Sequence, residues 1–365
     1  MSQIAVLAGD GIGPEITAAA RRVLACVLPA LSFHEAAVGA AAIASHGTPL
    51  PDETIAICAA ADAILFGAVG GPGFDGVRPE QRPEAGILGL RKRFGLFANV
   101  RPAQVFAGLE ERSPLRTDIV RGMDLVIVRE LTGGLYFGAK TLGLEAGVMT
   151  ARETLVYTAD EIERVVVFAF ELARGRRKRL TSIDKNNVLV SSQLWRQIVA
   201  ERAATYPDVE LEHMLVDNAA MQLVRDPRRF DVIVTENMFG DILSDEAAMI
   251  TGSIGTAPSA SLGAARGALR FGLYEPISGT APDIAGTNRA NPAGAILSAA
   301  LLARFSLGEH SAAAAIEGAV AAALARGPRT ADLCAPGETA ATTSSFADAV
   351  IAELANARAR VPARS

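Results

Sequence analysis

Two aspartates four residues apart, Asp241 and Asp245 in the stretch Asn-Met-Phe-Gly-Asp-Ile-Leu-Ser-Asp, lie inside an apolar run of helical character. Residues i and i+4 share one helix face, where like charges repel by roughly 0.2–0.5 kcal/mol. No lysine stands at a neighbouring i+4 position to relieve them. Asp217, earlier in the chain at a predicted strand-to-helix junction, adds a third carboxylate. Three hard oxygen donors with no His/Cys cluster nearby suit Mg²⁺ or Mn²⁺. The plainer reading, acids decorating the first turn of a helix, explains Asp241 but not the set.

Other residue types point to an anionic ligand. Arg91 and Arg101 sit in GLRKRFGLFANVRPA, and Arg129 lies inside the strand-like run LVIVREL (125–131), with Tyr136 shortly after. An arginine inside an apolar strand is expensive to bury without an anion, and its planar fork matches a carboxylate with two parallel donors. Three such arginines suggest a polycarboxylate, with internal salt bridges as the alternative. Lys185, in SIDKNNVL, closes another predicted strand, and a desolvated lysine can serve as a general base. Ser182 to Lys185 also spells S-x-x-K, but the S-D-N and K-T-G elements of penicillin-recognising acyl enzymes are absent. The turn GDGIGPE (9–15) follows a strand and opens a helix, as phosphate loops do, yet its spacing is neither G-x-G-x-x-G nor a P-loop.

The elements that must hold these residues alternate. IAVLAG (4–9), the end of TIAICAAADAILFGAV (54–69), MDLVIVREL (123–131), RLTSIDK and FDVIVTE read as strands. EITAAARRVLACVL (15–28), ADEIERVVVFAFELARGRR (159–177), AGAILSAALLARF and SAAAAIEGAVAAALARG read as helices. This alternation predicts an α/β fold with a large, mostly parallel open sheet. Residues 252–292, crowded with Gly, Pro, Ser and Asn, read as open loops of functional rather than disordered character. The final ARARVPARS (357–365) reads as a frayed end.

Bulk properties exclude several classes. With 365 residues the natural expectation is two domains. A net charge of −5, from 35 basic and 40 acidic residues, gives no case for nucleic acid or an anionic membrane. The basic run RGRRKR (174–179) is read as a helix C-terminus whose cations suit the macrodipole. Three scattered cysteines read as reduced, no apolar stretch is long enough to span a bilayer, and the N-terminus lacks a signal peptide. A soluble, cytoplasmic protein is expected.

Taken together, the chain resembles the β-decarboxylating dehydrogenases that act on isocitrate and isopropylmalate, and most closely their isopropylmalate branch. The likeness runs from AVLAGDGIGPEI to NPAGAILSAALL and rests on LFANVRPA, VRELTGGLYFG, DKNNVL, NMFGDILSDEAAMITGSIGTAPSASLG and EPISGTAPDIAG in the right order. The resemblance implies a two-domain fold distinct from the Rossmann fold. One domain would combine residues 1–100 with 253–365 and bind the dinucleotide. The other, 101–252, would carry the metal site and the dimer contacts, with an arm near 135–155. It implies that Arg91, Arg101 and Arg129 clamp malate carboxylates, and that Asp217, Asp241 and Asp245 hold Mg²⁺ or Mn²⁺. Lys185 would take the hydroxyl proton and Tyr136 would return one after CO₂ leaves. Lys185 and Asp217 would reach the site from the second subunit of an obligate homodimer.

For the cofactor, the resemblance implies an NAD loop at Gly279, Thr280, Ala281, Pro282, Asp283 and Ile284, with Asn291 and Glu84 alongside. The Asp283 charge would repel a 2′-phosphate and so favour NAD over NADP. Glu84, Ile87 and Leu88 would offer an acid and an apolar patch to an isopropyl group, with Gly86 and Gly89 leaving room for a larger one. The implied reaction is oxidative decarboxylation of (2R,3S)-3-isopropylmalate to 2-oxoisocaproate in leucine biosynthesis. Another 3-alkylmalate, D-malate or tartrate is the alternative substrate, and a non-catalytic ligand-binding paralogue the alternative class. Ser278 departs from the family, which usually has His there.

Overall fold

The computed structural model describes residues 2–74, 76–335 and 337–360. The chain opens with β1 (Gln3–Gly9), α1 (Gly13–Val27), β2 (Ser32–Glu35), α2 (Gly39–His46), α3 (Asp52–Ala60) and β3 (Ala63–Ala68). α4 (Glu84–Arg93) leads into β4 (Ala98–Gln104), α5 (Thr117–Val120) and β5 (Asp124–Glu130). A hairpin of β6 (Lys140–Glu145) and β7 (Val148–Glu153) follows. Next come α6 (Ala159–Arg174), β8 (Arg179–Asp184), α7 (Val190–Ala203), β9 (Glu210–Leu215), α8 (Val216–Arg225), β10 (Val232–Thr235) and α9 (Asn237–Ile250). The chain ends with β11 (Pro258–Arg266), β12 (Leu269–Pro276), α10 (Ala293–Phe305), α11 (His310–Arg326) and α12 (Thr343–Arg360).

Ten strands form one sheet in the order β2-β1-β3-β12-β11-β4-β5-β10-β8-β9. Both flanks are parallel, and only the centre, β12-β11-β4-β5, is antiparallel. Of the flanking strands, β3 and β10 read as continuous apolar runs and are buried throughout, as strands inside a parallel sheet covered on both faces are, whereas the edge strands β2 and β9 carry polar residues. The sheet is thus α/β, large and mostly parallel, as expected. β4 and β5 lie side by side, with Asn99 opposite Arg129 and Arg101 opposite Ile127. This pairing brings two of the predicted arginines onto neighbouring strands.

One expectation fails. Residues 252–292 are not open loop throughout: β11 and β12 occupy the sheet centre. Pro258 to Gly263 in β11 are buried, and their small side chains let α10 approach. Ser259 N donates to Ser298 Oγ at 3.2 Å, and a Cβ on Gly294 would sit 3.0 Å from the Ala257 carbonyl. Small residues chosen for close packing look like turn residues in a sequence. Of the end expected to fray, residues 357–360 continue α12, and 361–365 lie outside the described residues.

The basic run 174–179 is spent on acids. Arg174 and Lys178 pair with Asp208, Arg176 and Arg177 with Asp124 and Asp231, and Arg179 with Glu210. The β6–β7 hairpin stands off the sheet with Leu142, Leu144, Val148 and Met149 all exposed.

Candidate active site

α9 is the centre of the site. The Glu236 carboxylate caps it, accepting from Met238 N at 3.1 Å and Phe239 N at 2.9 Å. These bonds satisfy amides that a helix start leaves orphaned. Burial pushes the Glu236 carboxyl above its usual range, and the two amide bonds oppose that shift. One turn on, Asp241 and Asp245 face β4 and β5, and here their mutual repulsion is answered. Arg101 Nη1 lies 3.0 Å from Asp245 Oδ1, 2.7 Å from Ser244 Oγ and 3.8 Å from Asp241 Oδ1. Its Nε donates to Asn99 Oδ1 at 2.8 Å. Arg129 Nη1 pairs with Asp241, its Nε donates to Asn237 Oδ1 at 2.9 Å, and the Tyr136 hydroxyl donates to Asp241 Oδ2 at 3.1 Å.

Both guanidinium groups are held below their usual range. For Arg101 burial is the cause, against the pull of Asp245 and Asp241. For Arg129 burial comes first and the positive charge of Arg101 second, bringing it to about 10. Two buried cations side by side favour any arrangement that supplies further negative charge. Arg91, in the last turn of α4, donates from Nη2 to Glu275 Oε1 at 2.7 Å, while its buried Nε finds no partner among the described residues. Arg91, Arg101 and Arg129 are therefore all balanced by acids of this chain. A cation taking Asp241 and Asp245 would free two arginines to grip a ligand's carboxylates.

The donor set suits such a cation only in part. The Asp241 and Asp245 side chains keep 35% and 58% of their surface exposed, so hard oxygens are available on one helix face. Among the described residues no three His, Cys, Asp or Glu come close enough to share a metal. Asp217, in the first turn of α8, instead meets Lys185 beyond the end of β8, with Nζ 2.5 Å from Oδ1. That hydrogen bond, followed by a backbone one, holds the Asp217 carboxyl below its usual range. Lys185 is fixed by its amide, which donates to Ser192 Oγ at 3.1 Å. The sequence-predicted residues thus fall into two groups within one chain: Arg101, Arg129, Tyr136, Asp241 and Asp245 together, Lys185 and Asp217 apart.

A second cavity, about 400 Å³, lies between the glycine turn and the 278–291 loop. Gly9, Asp10, Gly11, Gly70, Thr280 and Pro282 help to line it. Asp10 organises its wall, accepting from Ala40 N and Ala41 N at 2.8 Å and from Gly70 N at 3.0 Å. Ile12 N donates to Thr280 O at 2.9 Å, and a Cβ on Gly11 would strike that carbonyl at 2.1 Å. Glycine at position 11, with φ +56°, is therefore what lets the two loops touch. Glu84 Oε1 reaches the Gly70 wall. Gly279, Pro282 and Asp283 are exposed, Ser278 is half-buried, and Ala281 and Ile284 pack partly against the core. Asn291 is spent elsewhere: its Oδ1 accepts from Ala293 N at 3.0 Å and its Nδ2 donates to Asp332 at 2.8 Å.

The α4 face differs from expectation in one respect. Leu88 is exposed, whereas Ile87 is buried in the cluster that includes Val38, Leu90 and Leu96. The space foreseen at Gly86 and Gly89 is already filled. A Cβ on Gly86 would meet Pro49 O at 2.8 Å and Val38 Cγ2 at 2.9 Å, and one on Gly89 would meet Leu50 Cδ2 at 2.8 Å. These glycines seat α4 against its neighbours. Sequence reasoning missed Asn99, Asn237, Ser244 and Glu275, which hold the arginines, and Asp10. The available signal was a polar residue embedded in an apolar run.

Comparison with known proteins agrees with this geometry. The family model for isocitrate/isopropylmalate dehydrogenase matches residues 3–350. The 3-isopropylmalate dehydrogenase of Heyndrickxia coagulans is 54% identical, over 98% of either chain. That of Symbiobacterium thermophilum is 55% identical over 95% of this chain and 97% of its own. Among solved structures, isocitrate dehydrogenase from Methylococcus capsulatus superposes with TM-score 0.85 at 35% identity, covering 97% of this chain and 99% of its own. A β-decarboxylating dehydrogenase from Thermococcus kodakarensis superposes with TM-score 0.83 at 36% identity, covering 100% and 99%. The chain, with its arginines gathered on the aspartate face of α9, belongs to the isocitrate/isopropylmalate dehydrogenase family.

Proposed function

We propose that the protein catalyses NAD-dependent oxidative decarboxylation of (2R,3S)-3-isopropylmalate to 2-oxoisocaproate and CO₂, the dehydrogenase step of leucine biosynthesis. The observation that carries the reading is the convergence of Arg101, Arg129 and Tyr136 on Asp241 and Asp245. The names of relatives 54% and 55% identical to it supply the substrate. Asp241 and Asp245, with Asp217 of a second copy, would hold Mg²⁺ or Mn²⁺. When bound, the metal would supply Lewis-acid stabilisation of developing oxygen charge and NAD⁺ would supply the hydride acceptor.

The chain's own residues do the rest. Arg91, Arg101 and Arg129 orient the malate carboxylates with bidentate, charge-assisted bonds. Lys185 accepts the proton of the C2 hydroxyl as the hydride departs. Tyr136 donates its hydroxyl proton to the carbon that loses CO₂. Burial, followed by the charge of Asp241, raises the Tyr136 pKa, so the hydroxyl keeps its proton until then. Leu88 and the Glu84 end of α4 face the alkyl group and the nicotinamide side. Gly279, Thr280, Ala281, Pro282, Asp283 and Ile284 embrace the adenosine half, with Asn291 holding the end of that loop in place. Because Lys185 and Asp217 lie apart from α9 within one chain, the working site is assembled across a homodimer, with the 140–153 hairpin as its arm.

On this reading residues 1–100 with 253–365 form the dinucleotide-binding half and 101–252 the substrate half. Two smaller apolar clusters support the division, one drawing its residues from 5–96 with Phe271 and Leu273, the other from 103–250, while the main cluster draws on both halves.

NADH formation with purified protein, NAD⁺ and Mn²⁺ tests the proposal across 3-isopropylmalate, D-malate, tartrate and isocitrate. The fastest rate with 3-isopropylmalate, abolished by EDTA, is expected. Faster turnover of another malate would move the substrate and leave the chemistry. No NADH in any well from a folded dimer would refute the enzyme.

A further inference from the structure

Asn237 is fully buried and makes three bonds at the head of α9. Its Oδ1 accepts from Arg129 Nε at 2.9 Å, and its Nδ2 donates to the Gly133 carbonyl at 2.9 Å. Its backbone N donates to the Tyr157 hydroxyl at 2.9 Å. One carboxamide therefore joins an arginine on β5 to the turn that carries Tyr136. That turn is pressed under Tyr157: a Cβ on Gly133 would lie 2.7 Å from its ring, and one on Gly134 2.5 Å from its hydroxyl. The same arginine is seated from below, because a Cβ on Gly240 would lie 2.7 Å from Arg129 Cβ and Cγ. Glu130, buried behind the turn, accepts from Thr132 N and Gly133 N and holds its other side.

We propose that Asn237 is a positioning residue, which sets the Arg129 guanidinium and the Tyr136 hydroxyl at a fixed mutual offset on either side of the Asp241 carboxylate. Besides this link, the Arg129 guanidinium carbon lies 5.7 Å from the Tyr136 ring centroid. Nη1 of Arg129 and the hydroxyl of Tyr136 both contact Asp241, the carboxylate assigned above to the cation. Once that carboxylate is engaged elsewhere, the Asn237 link remains to keep the two in register. A carboxamide suits the task because it presents a donor and an acceptor in one plane, where a carboxylate offers only acceptors. This inference deepens the proposed reaction and rests on it for the kinetic part of its test.

The test compares Asn237→Asp with Asn237→Ala in the full-length dimeric enzyme. The aspartate keeps an acceptor for Arg129 Nε but cannot donate to Gly133 O, so it loosens the Tyr136 turn alone. We expect Asn237→Asp to hold KM for 3-isopropylmalate within about threefold of wild type while kcat falls at least about tenfold. Asn237→Ala, which frees both partners, should also raise that KM at least about tenfold, with KM for NAD⁺ unchanged. A second readout needs no turnover. The Arg129 ¹⁵Nε–H resonance, assigned by its loss in Arg129→Lys, should exchange slowly in wild type and Asn237→Asp and rapidly in Asn237→Ala. The two variants behaving alike in kinetics, or Arg129 Nε–H equally protected in all three proteins, would overturn the positioning role. Wild type inert toward every malate would end the functional reading, and the exchange measurement would still decide whether Asn237 fixes Arg129.

Discussion

Lys185 Nζ and Asp217 Oδ1 stand 2.5 Å apart at the mouth of β8, and among the described residues no further carboxylate, histidine or cysteine joins them in a metal-sized group. Both are also partly open to solvent, at 27% and 58% of the side-chain surface. On the reading proposed above, Lys185 as the base and Asp217 as a metal ligand satisfy each other on the outside of one chain until a second copy brings up its α9 face.

That relationship predicts complementation between inactive chains. Lys185→Ala and Tyr136→Phe should each lose nearly all turnover, because each removes a group from both sites of a homodimer. Mixed, dissociated and reassembled in equal amounts, half of the dimers are heterodimers carrying one intact site of two. Activity should return to about a quarter of wild type. Mixtures no more active than the parents would place the whole site within one chain.

The filled glycine faces of α4 predict opposite responses at neighbouring positions. Gly86→Ala drives a methyl into the Pro49 carbonyl, a backbone atom that cannot step aside, and should cost about 1–3 kcal/mol. Gly89→Ala meets only the end of the Leu50 side chain, and the gain in helix propensity, up to about 1 kcal/mol, should cover the contact. Urea denaturation of both variants checks the order. Equal stabilities would show that α4 is not seated through Gly86.

Asp283 stands exposed next to Pro282, which lines the cavity beside the glycine turn, and it makes no ion pair among the described residues. Asp283→Lys should lower kcat/KM for NAD⁺ at least about tenfold, ~1.4 kcal/mol, and raise that for NADP⁺. An unchanged ratio of the two would move the ribose contact to another residue.

His213 gives the fold a pH dependence. On the edge strand β9 its Nδ1 is buried without a partner among the described residues, and burial, with Arg196 adding to it and Asp184 opposing, holds the imidazole below its ordinary 6.5. The unfolded chain therefore takes up this proton near pH 6.5 and the folded chain only at lower pH. Stability is complete above that value and is lost as pH falls through the folded-state pKa. Denaturant midpoints between about pH 5.5 and 7.5 should show the slope, and His213→Gln should flatten it. A variant with the full wild-type slope would assign the loss to other groups.

Much of this was legible in the sequence, and the gaps have physical causes. Strands such as FDVIVTE and helices such as ADEIERVVVFAFELAR announce themselves because burial on two faces or one stripe leaves a periodic trace. Arg101, Arg129, Tyr136, Asp241 and Asp245 were legible as residue types, and the structure brings them together. Residues 258–263 were not, since close packing against α10 demands small residues that also make turns. Asn291 looked free for a cofactor because nothing local shows that Asp332, far along the chain, occupies its amide. The filling of the Gly86 face by Pro49 is long-range for the same reason. Contacts made across the sheet leave no period to read.

The pairing of β3 with β12, Ile64 against Leu273, has a consequence for synthesis. A ribosome making roughly 5–20 residues per second releases β12 some ~10–40 s after β3. Throughout that interval β3, apolar and destined for complete burial, presents an open strand edge. Until its own distant segment arrives, residues 63–68 are therefore open to pairing with the strand edge of another chain.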